Sequence, residues 1–373
     1  MAGQTYPCEQ CGAQLAFKPG TTSLVCPYCQ HTTEIASSAE AIEELDFSQY
    51  LEIARLDSSK EKDQVLHCNN CAAEFTLGPH SASDSCPFCG SNVVVPTDPE
   101  VRVAPKSLIP FQIDARQARD SYRKWIASRF WAPNDLKKHA EAKSTLHGMY
   151  VPYWTYDSET TTWYTGQRGE WYYETEYYTE DGETKTREVR RTRWYPAAGT
   201  VFVPFDDVLV LATSTLPAKY TNNMQNWQLP LLTPYKDEFL SGYQAMRYDI
   251  DLENGFETAK VTMQPHIEQA IRYDIGGDEQ MITTMNTQYD NITFKHVLLP
   301  IYTGAYRYSQ KVWRFFINGQ TGQVEGEAPI SPWKVALAIL LALILIGGII
   351  YLVNSNKKSR SRASFDISYS RSI

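Results

Sequence analysis

Eight cysteines carry the clearest chemistry in this chain. Cys8, Cys11, Cys26 and Cys29 read C-x2-C-x14-C-x2-C, and Cys68, Cys71, Cys86 and Cys89 repeat that pattern with an offset of 60 at all four positions. A two-residue gap lets both sulfurs of one tight turn face a single ion. Two such turns supply the all-sulfur tetrahedral sphere that structural Zn²⁺ takes. The flanks repeat too: Leu15 and Phe17 match Phe75 and Leu77, and Cys-Pro-Tyr-Cys at 26–29 matches Cys-Pro-Phe-Cys at 86–89. Gly12 and Gly90 follow knuckle cysteines, where a residue tolerant of positive φ is useful. Disulfides, an iron–sulfur centre and redox C-x-x-C pairs are the alternatives. Duplication of the whole four-cysteine unit favours zinc. A closed four-thiolate sphere has no open position, so two structural ions are expected and no cysteine is left as a nucleophile. Neither module has an apolar core large enough to fold alone, so the metal is expected to supply the folding energy.

The remaining candidates are weaker. Residues 150–195 hold 9 Tyr and 4 Trp, interleaved with Arg187, Arg190, Arg191 and Arg193. Such residues build plain β-sheet, form protein interfaces or stack the bases of a single strand. Glu170, Glu174 and Glu176 cancel most of the local positive field, which disfavours the last. Asp206 with Asp207, and Asp274 with Asp278, are carboxylate clusters open to a divalent ion, though the second pair, beside Gly276-Gly277, reads as a helix end. His31 and His67 flank knuckles. His139, His147, His266 and His296 read as surface or core residues. No phosphate-binding G-x-x-x-x-G-K-[ST], no H-E-x-x-H and no G-x-S-x-G occurs, so the chain is not expected to be an enzyme.

The elements that hold these residues follow from pattern. Hydrophobic residues at 43% and charged residues at 21% exclude whole-chain disorder. We expect an α+β fold: zinc ribbon 1 at 1–37, a linking helix within 38–62 (Ser38 to Arg55), zinc ribbon 2 at 63–96, and a mainly antiparallel α+β domain at 97–330. Pro96 to Pro110 reads as a linker. Asp114 caps a helix from Ala115 to Phe130, with Gln117 at the capping-box position. A shorter helix follows over Asn134 to Ala142. From Gly148 the period becomes that of strands. Glu170 to Trp194 forms a hairpin around Asp181-Gly182, a turn that sets Glu176 opposite Arg187 and Glu170 opposite Arg193. Val201 to Ala212 is a further strand and Ala218 to Trp227 a helix. Glu253 to Tyr273 is helical, with Pro265 a candidate break. Met281 to Tyr289, Thr293 to Tyr308 and Lys311 to Phe316 are strands, and Asn318-Gly319 and Thr321-Gly322 turn into Gln323 to Glu325.

Charge is unevenly spread. Residues 1–100 carry a net −10 and residues 354–373 a net +4. An acidic N-terminal segment is a poor partner for a phosphate backbone. Val335 to Val353 is 19 residues without a charge, about 28 Å as a helix and close to the ~30 Å hydrocarbon core. Trp333 and Tyr351 sit near its ends, as interfacial aromatics do. We expect a single transmembrane helix over 333–353, followed by a basic Ser/Arg-rich tail at 354–373 with a disordered end. Positive-inside counting would place that tail in the cytoplasm; the absence of a secretory signal at Met1 to Gly12 favours a cytoplasmic bulk. The second topology is the expected one, at the inner (cytoplasmic) membrane. A tail lying along the membrane surface is a third.

Several runs resemble a bacterial family of zinc-ribbon membrane proteins, commonly labelled "TFIIB-type zinc ribbon" or "primosomal protein N′ (replication factor Y)-like". They include Ile109-Pro110-Phe111, Phe130 to Leu136 (Phe-Trp-Ala-Pro-Asn-Asp-Leu) and Gly148 to Asp157 (Gly-Met-Tyr-Val-Pro-Tyr-Trp-Thr-Tyr-Asp). Phe205 to Leu209, Asp274 to Asp278, Phe294 to Pro300 and Asn318 to Gly322 complete them. The similarity spans roughly residues 5–325. The two cysteine sets themselves read as rubredoxin-like ribbons, and the resemblance implies membrane-anchored relatives that partner phage-shock-type membrane-stress proteins and SPFH/flotillin-like proteins. The expected function is a non-enzymatic adaptor docking protein partners at the cytoplasmic membrane face. The alternative is a nucleic-acid-binding accessory protein of replication or transcription.

Overall fold

The computed structural model of the chain describes residues 6–36, 41–56, 103, 105–136, 145–180, 182–221, 223–224 and 226–369, together with three short strands. It is α+β with antiparallel sheets and forms two compact units. One comprises Met1–Ser121, Leu146–Gly304 and Phe315–Glu325; the other comprises Tyr122–Thr145, Ala305–Arg314 and Gly326–Ile373.

The first cysteine set lies in a small antiparallel sheet of β1 (Ala16–Phe17), β2 (Ser23–Val25) and β3 (Thr32–Glu34), in that order. The linking helix is shorter than its pattern suggested. Leu45–Asp46 forms β4 along the edge of a long strand, with Leu45 opposite Phe294. Asp46 then caps α1 (Phe47–Leu56) by accepting the Gln49 amide at 2.6 Å. In the large sheet β5 (Val65–Cys68) lies between β6 (Glu74–Thr76) and β7 (Val94–Thr97) and pairs antiparallel with both. Part of the expected proline-rich linker also joins that sheet, as β8 (Ser107–Leu108). The capping box at α2 (Ala115–Ser128) forms as expected. The Asp114 carboxylate accepts the Gln117 amide at 2.7 Å, and the Gln117 side chain accepts the Asp114 amide at 2.8 Å.

Three long strands dominate the larger unit. β9 (Thr145–Glu180) and β10 (Glu183–Leu211) form one antiparallel hairpin closed around Gly182, whose φ is 81°. The expected pairs, Glu176 with Arg187 and Glu170 with Arg193, are the observed ones. The expectation that the hairpin ends at Trp194 is corrected: pairing continues to Leu211 opposite Tyr153, absorbing Val201 to Ala212. Pro196 survives inside β10 because, among the described residues, β10 pairs with β9 alone, and an edge strand can spare a donor. The two strands expected at 281–289 and 293–308 are likewise one, β13 (Glu279–Tyr308). Asn291 takes φ 50° within it, a conformation Asn tolerates well. Short pieces β11 (Thr233–Pro234) and β12 (Gln244–Ala245) and the strands β14 (Lys311–Asn318) and β15 (Val324–Gly326) complete the sheets.

Between these, α3 covers Ala218–Thr221 only, after which the chain buries Met224 and Trp227 in the core. Helix α4 (Leu252–Ile275) is unbroken despite Pro265. Its buried stripe runs Leu252, Phe256, Ala259, Met263, Ile267, Ile271 and Ile275, while Pro265 faces solvent. Water can therefore serve the carbonyl that loses its donor, and the packed stripe outweighs a penalty of about 3 kcal/mol. Asp251 caps the start and Gly276, at φ 63°, the end. Alternate residues of β9 feed two cores. Tyr153 belongs with Ile109, Leu299 and Phe316; Trp154 belongs with Phe256, Met263 and Phe294 beneath α4. Trp154 and Tyr156 reach past α4's start to donate to the Ile250 and Leu252 carbonyls at 2.9 and 2.7 Å.

In the smaller unit Tyr122 stacks on Trp125 and packs on Tyr306. Helix α5 runs Pro332–Tyr369, so the basic tail is helical backbone as far as Tyr369, and its expected disordered end lies outside the described residues. Its stretch Pro332–Tyr351 has mean hydropathy 2.5 and none of its apolar window is buried. One helix is thus long and apolar enough to cross a membrane. Lys334 donates to the Phe130 and Ala132 carbonyls at its foot, at 2.9 and 2.7 Å.

Candidate metal centre

Cys8, Cys11, Cys26 and Cys29 converge, with all four sulfurs within 4.8 Å of one another. The closest pairs cross between the knuckles: Cys8 with Cys29 and Cys11 with Cys26, each 3.5 Å between sulfurs. Neither pair is bonded, so the four are free thiols. Thiolates held about 2.3 Å from a tetrahedral zinc lie roughly 3.8 Å apart, and the donor set fits that sphere. Each knuckle folds alike. The Gly12 amide donates to the Cys8 carbonyl at 2.8 Å, and the Gln30 amide to the Cys26 carbonyl at 3.0 Å. Both residues have positive φ, 75° and 62°. The need anticipated at Gly12 is real, and Gln30 meets it without being glycine.

Backbone amides tune the thiols. The Cys29 and Tyr28 amides bring Cys26 down to about 6, against the cost of burial. At Cys29 the His31 amide favours the thiolate, but burial and hydrogen bonds with the other three thiols outweigh it and push the group up to about 12. Within such a cluster one thiolate suppresses ionisation of the next, which is the repulsion a divalent cation relieves. His31 thus contributes through its backbone.

The four-cysteine module is seated on the 3-10 turn Asp237–Leu240 and the loop that follows it. Phe17, 3% exposed, packs edge-on against Phe239 with ring centres 5.3 Å apart and approaches Tyr243 at 6.5 Å. The Phe17 amide donates to the Ser241 carbonyl at 2.9 Å, and the Ser241 hydroxyl donates to the Leu15 carbonyl at 2.6 Å. The Gly20 amide donates to the Phe111 carbonyl at 2.8 Å. No local pattern announces this seat. The second set, Cys68, Cys71, Cys86 and Cys89, lies outside the described residues apart from the backbone of Cys68 at the end of β5.

The carboxylate candidates divide. Asp274 accepts the Tyr164 hydroxyl at 2.5 Å, and Asp278 accepts the Trp171 amide at 2.8 Å, so both are spent on the hairpin. Asp206 lies near Glu44 and Asp157, an oxygen set of the kind that holds cations. Beside them, however, stands Lys295, 7% exposed, 2.7 Å from Asp207 and 3.0 Å from Glu44. An ammonium already in the cluster competes with any metal, and we read it as a structural ion-pair network. Burial works against the Lys295 charge, but its bonds to Asp207 and Glu44 outweigh that and hold its pKa above the ordinary lysine value. Asp157 is pushed up to about 6, chiefly by burial, against the Asp207 amide and Lys295. The Lys295 hydrogen bond holds Glu44 below its usual range. A bulge between Phe205 and Val208, with Asp207 at φ 52°, sets this arrangement. A lone lysine in the apolar run Phe294 to Leu299 was the signal for it. His296 is buried, with Nδ1 2.8 Å from the Val103 carbonyl and its ring against Trp154. It is a core residue, as its isolation suggested.

No family model matches the chain, and no solved structure matches it. It is similar to the uncharacterized protein YdjG of Bacillus subtilis (strain 168), 26% identical over 358 residues, which cover 92% of this chain and 98% of that one. The likeness extends over almost the whole of both proteins and brings no activity with it.

Proposed function

We propose that this protein is a non-enzymatic, membrane-anchored zinc-ribbon adaptor. The observation that carries the reading is the four-thiol cluster, packed against Phe239 and Tyr243 through Phe17, in a chain that also holds an uncovered apolar helix. Both cysteine sets bind one structural zinc each. Residues 333–353 tether the bulk of the chain to the cytoplasmic face of the inner membrane, and the ribbons or the aromatic hairpin dock protein partners. The acidic N-terminal segment suits a basic protein patch. The family resemblance points to phage-shock or SPFH/flotillin-like partners.

The nucleic-acid reading finds less support. Arg191 lies 2.5 Å from Glu174 and 2.7 Å from Glu176, and Arg187 2.8 Å from Glu176, so two of the four arginines a phosphate backbone would use are already paired. The test is elemental analysis of the detergent-purified chain, with mass spectrometry of what co-purifies. Two zincs per chain and a membrane protein partner that is lost when both cysteine sets are replaced by serine support the adaptor. A zinc-free or iron-containing chain, or partners indifferent to the replacement, would sink the ribbon half of the reading.

A further inference from the structure

The run Phe130 to Leu136 forms a tight loop at the foot of α5, within the smaller unit. Its small and aliphatic members turn inward, with Ala132 and Leu136 buried. Its two rings do not. Phe130 is 74% exposed and Trp131 46%, and they meet edge-on with centres 5.3 Å apart. The loop is fixed at both sides. Behind it Trp125 stacks on Tyr122, which packs on Tyr306. In front, three hydrogen bonds tie it to the start of the helix. Lys334 donates to the Phe130 and Ala132 carbonyls, and the Ser331 amide donates to the Trp131 carbonyl at 2.8 Å. The Lys334 ammonium also lies 5.6 Å from the centre of the Phe130 ring. Ile330 and Trp333 are exposed on the same short stretch, Trp333 at 77%. A loop pinned this firmly, with its aromatic side chains left outside, is built to present them.

We infer that Phe130, Trp131 and Trp333 form an aromatic foot seated in the headgroup layer of an anionic bilayer, so that the smaller unit is held against the membrane surface. The inference rests on the membrane-anchor reading. Depth and charge select lipid as the occupant. When the uncharged stretch Val335 to Val353 fills the hydrocarbon core, Ser331 stands four residues outside it, about 6 Å. The headgroup layer is roughly 5–8 Å thick on each side. Helical side chains lean toward the N-terminus, so Lys334 reaches back out of the core to that level, and the Phe130 ring is held beside its ammonium. A protein partner at this depth would have to displace headgroups, whereas Trp and its like sit among them readily. The charge agrees. Residues 122–145, 305–314 and 326–334, the part of this unit before the apolar stretch, hold ten Lys/Arg and three Asp/Glu, a net of +7 in a chain of net −8. Arg123, Lys124 and Arg129, just ahead of the loop, are exposed. Basic residues within about a Debye length (~8–10 Å) of an anionic leaflet are drawn to it. A single helix by itself leaves a unit free to swivel; a second, interfacial contact fixes which side of the unit faces the lipid.

The test uses the full-length chain in vesicles of phosphatidylcholine with a minority of phosphatidylglycerol. The photocrosslinker benzoylphenylalanine replaces Phe130 in one sample and Leu345, at mid-span, in another. Both positions are exposed, so neither replacement touches the core. Mass spectrometry after irradiation reads what each position has captured. Position 345 is expected to give lipid adducts, as the anchor requires. Position 130 is expected to give lipid adducts as well, with phosphatidylglycerol enriched about threefold or more over its share of the vesicle. Lipid at 345 with none at 130, or 130 crosslinked only to protein, would overturn the inference and leave the anchor standing. Adducts at 130 no richer in phosphatidylglycerol than the vesicle would overturn the anionic seat. No lipid at 345 would overturn the anchor reading, and the inference with it.

Discussion

Replacing Phe17 by alanine separates two events that the structure keeps apart: closing the thiol cluster and seating the four-cysteine module against Phe239 and Tyr243. Phe17 is almost wholly buried and meets Phe239 and Tyr243 edge-on, while the nearest thiols sit in the knuckles beyond β1 and β2. Phe-to-Ala changes in packed sites cost about 3–5 kcal/mol, and a seat at the edge of a small ribbon belongs at the low end. The three backbone-linked hydrogen bonds, Phe17 to Ser241, Ser241 to Leu15 and Gly20 to Phe111, remain available. A loss of about 3 kcal/mol raises the open fraction of the seat somewhat more than a hundredfold. Hydrogen exchange on the zinc-loaded full chain reads this directly. Amides at 15–20 and 239–243 should lose about two orders of magnitude of protection, while 26–30 stays protected and bound metal is unchanged. Unchanged protection at 15–20 would refute the seat. Metal lost together with protection would refute its separateness from the cluster.

Lys295→Met should destabilise the folded chain by about 3 kcal/mol at pH 8, because three carboxylates lose their buried counter-charge. Asp157 titrates near 6 in the fold, above its unfolded value, so it takes up a proton as pH falls through 6. The variant's loss should therefore shrink between pH 8 and pH 5, read as urea midpoints at both; an equal loss would count against the network. Cys26→Ser should lower bound zinc by one equivalent and leave the second site loaded, measured by elemental analysis. Pro265→Ala should raise the melting temperature, since it returns an amide donor to α4 on its solvent face, with a gain of about 1–2 kcal/mol after the unfolded chain's added entropy is counted. Gly255→Ala should cost 2 kcal/mol or about that, because its Cβ would meet the Tyr156 hydroxyl and the Trp154 ring; near-UV dichroism and denaturant midpoints would show both effects.

Short-range physics decides the features that the residues alone make legible. Ligand spacing brought Cys8, Cys11, Cys26 and Cys29 to one point because each knuckle is a single turn closed by its own amides. Asp114 and Gln117 cap a helix three residues apart, and a tight turn at Gly182 sets the hairpin's register as far as the bulge after Phe205, Glu176 opposite Arg187 included. The apolar run after Trp333 needs only its own length to be read. Tertiary structure decided where local signals conflicted or were silent. The expected breaks after Trp194, between Tyr289 and Thr293, and at Pro265 do not occur: β10, β13 and α4 run through Pro196, Asn291 and Pro265, because an edge position, a tolerated left-handed residue and a solvent-facing carbonyl each remove the penalty. Lys295 meets Glu44 across 251 residues of chain, and Phe17 finds Phe239 from the other end of the same unit's sequence. Such contacts follow from which faces pack together, and packing is a property of the assembled sheet rather than of any window along the chain.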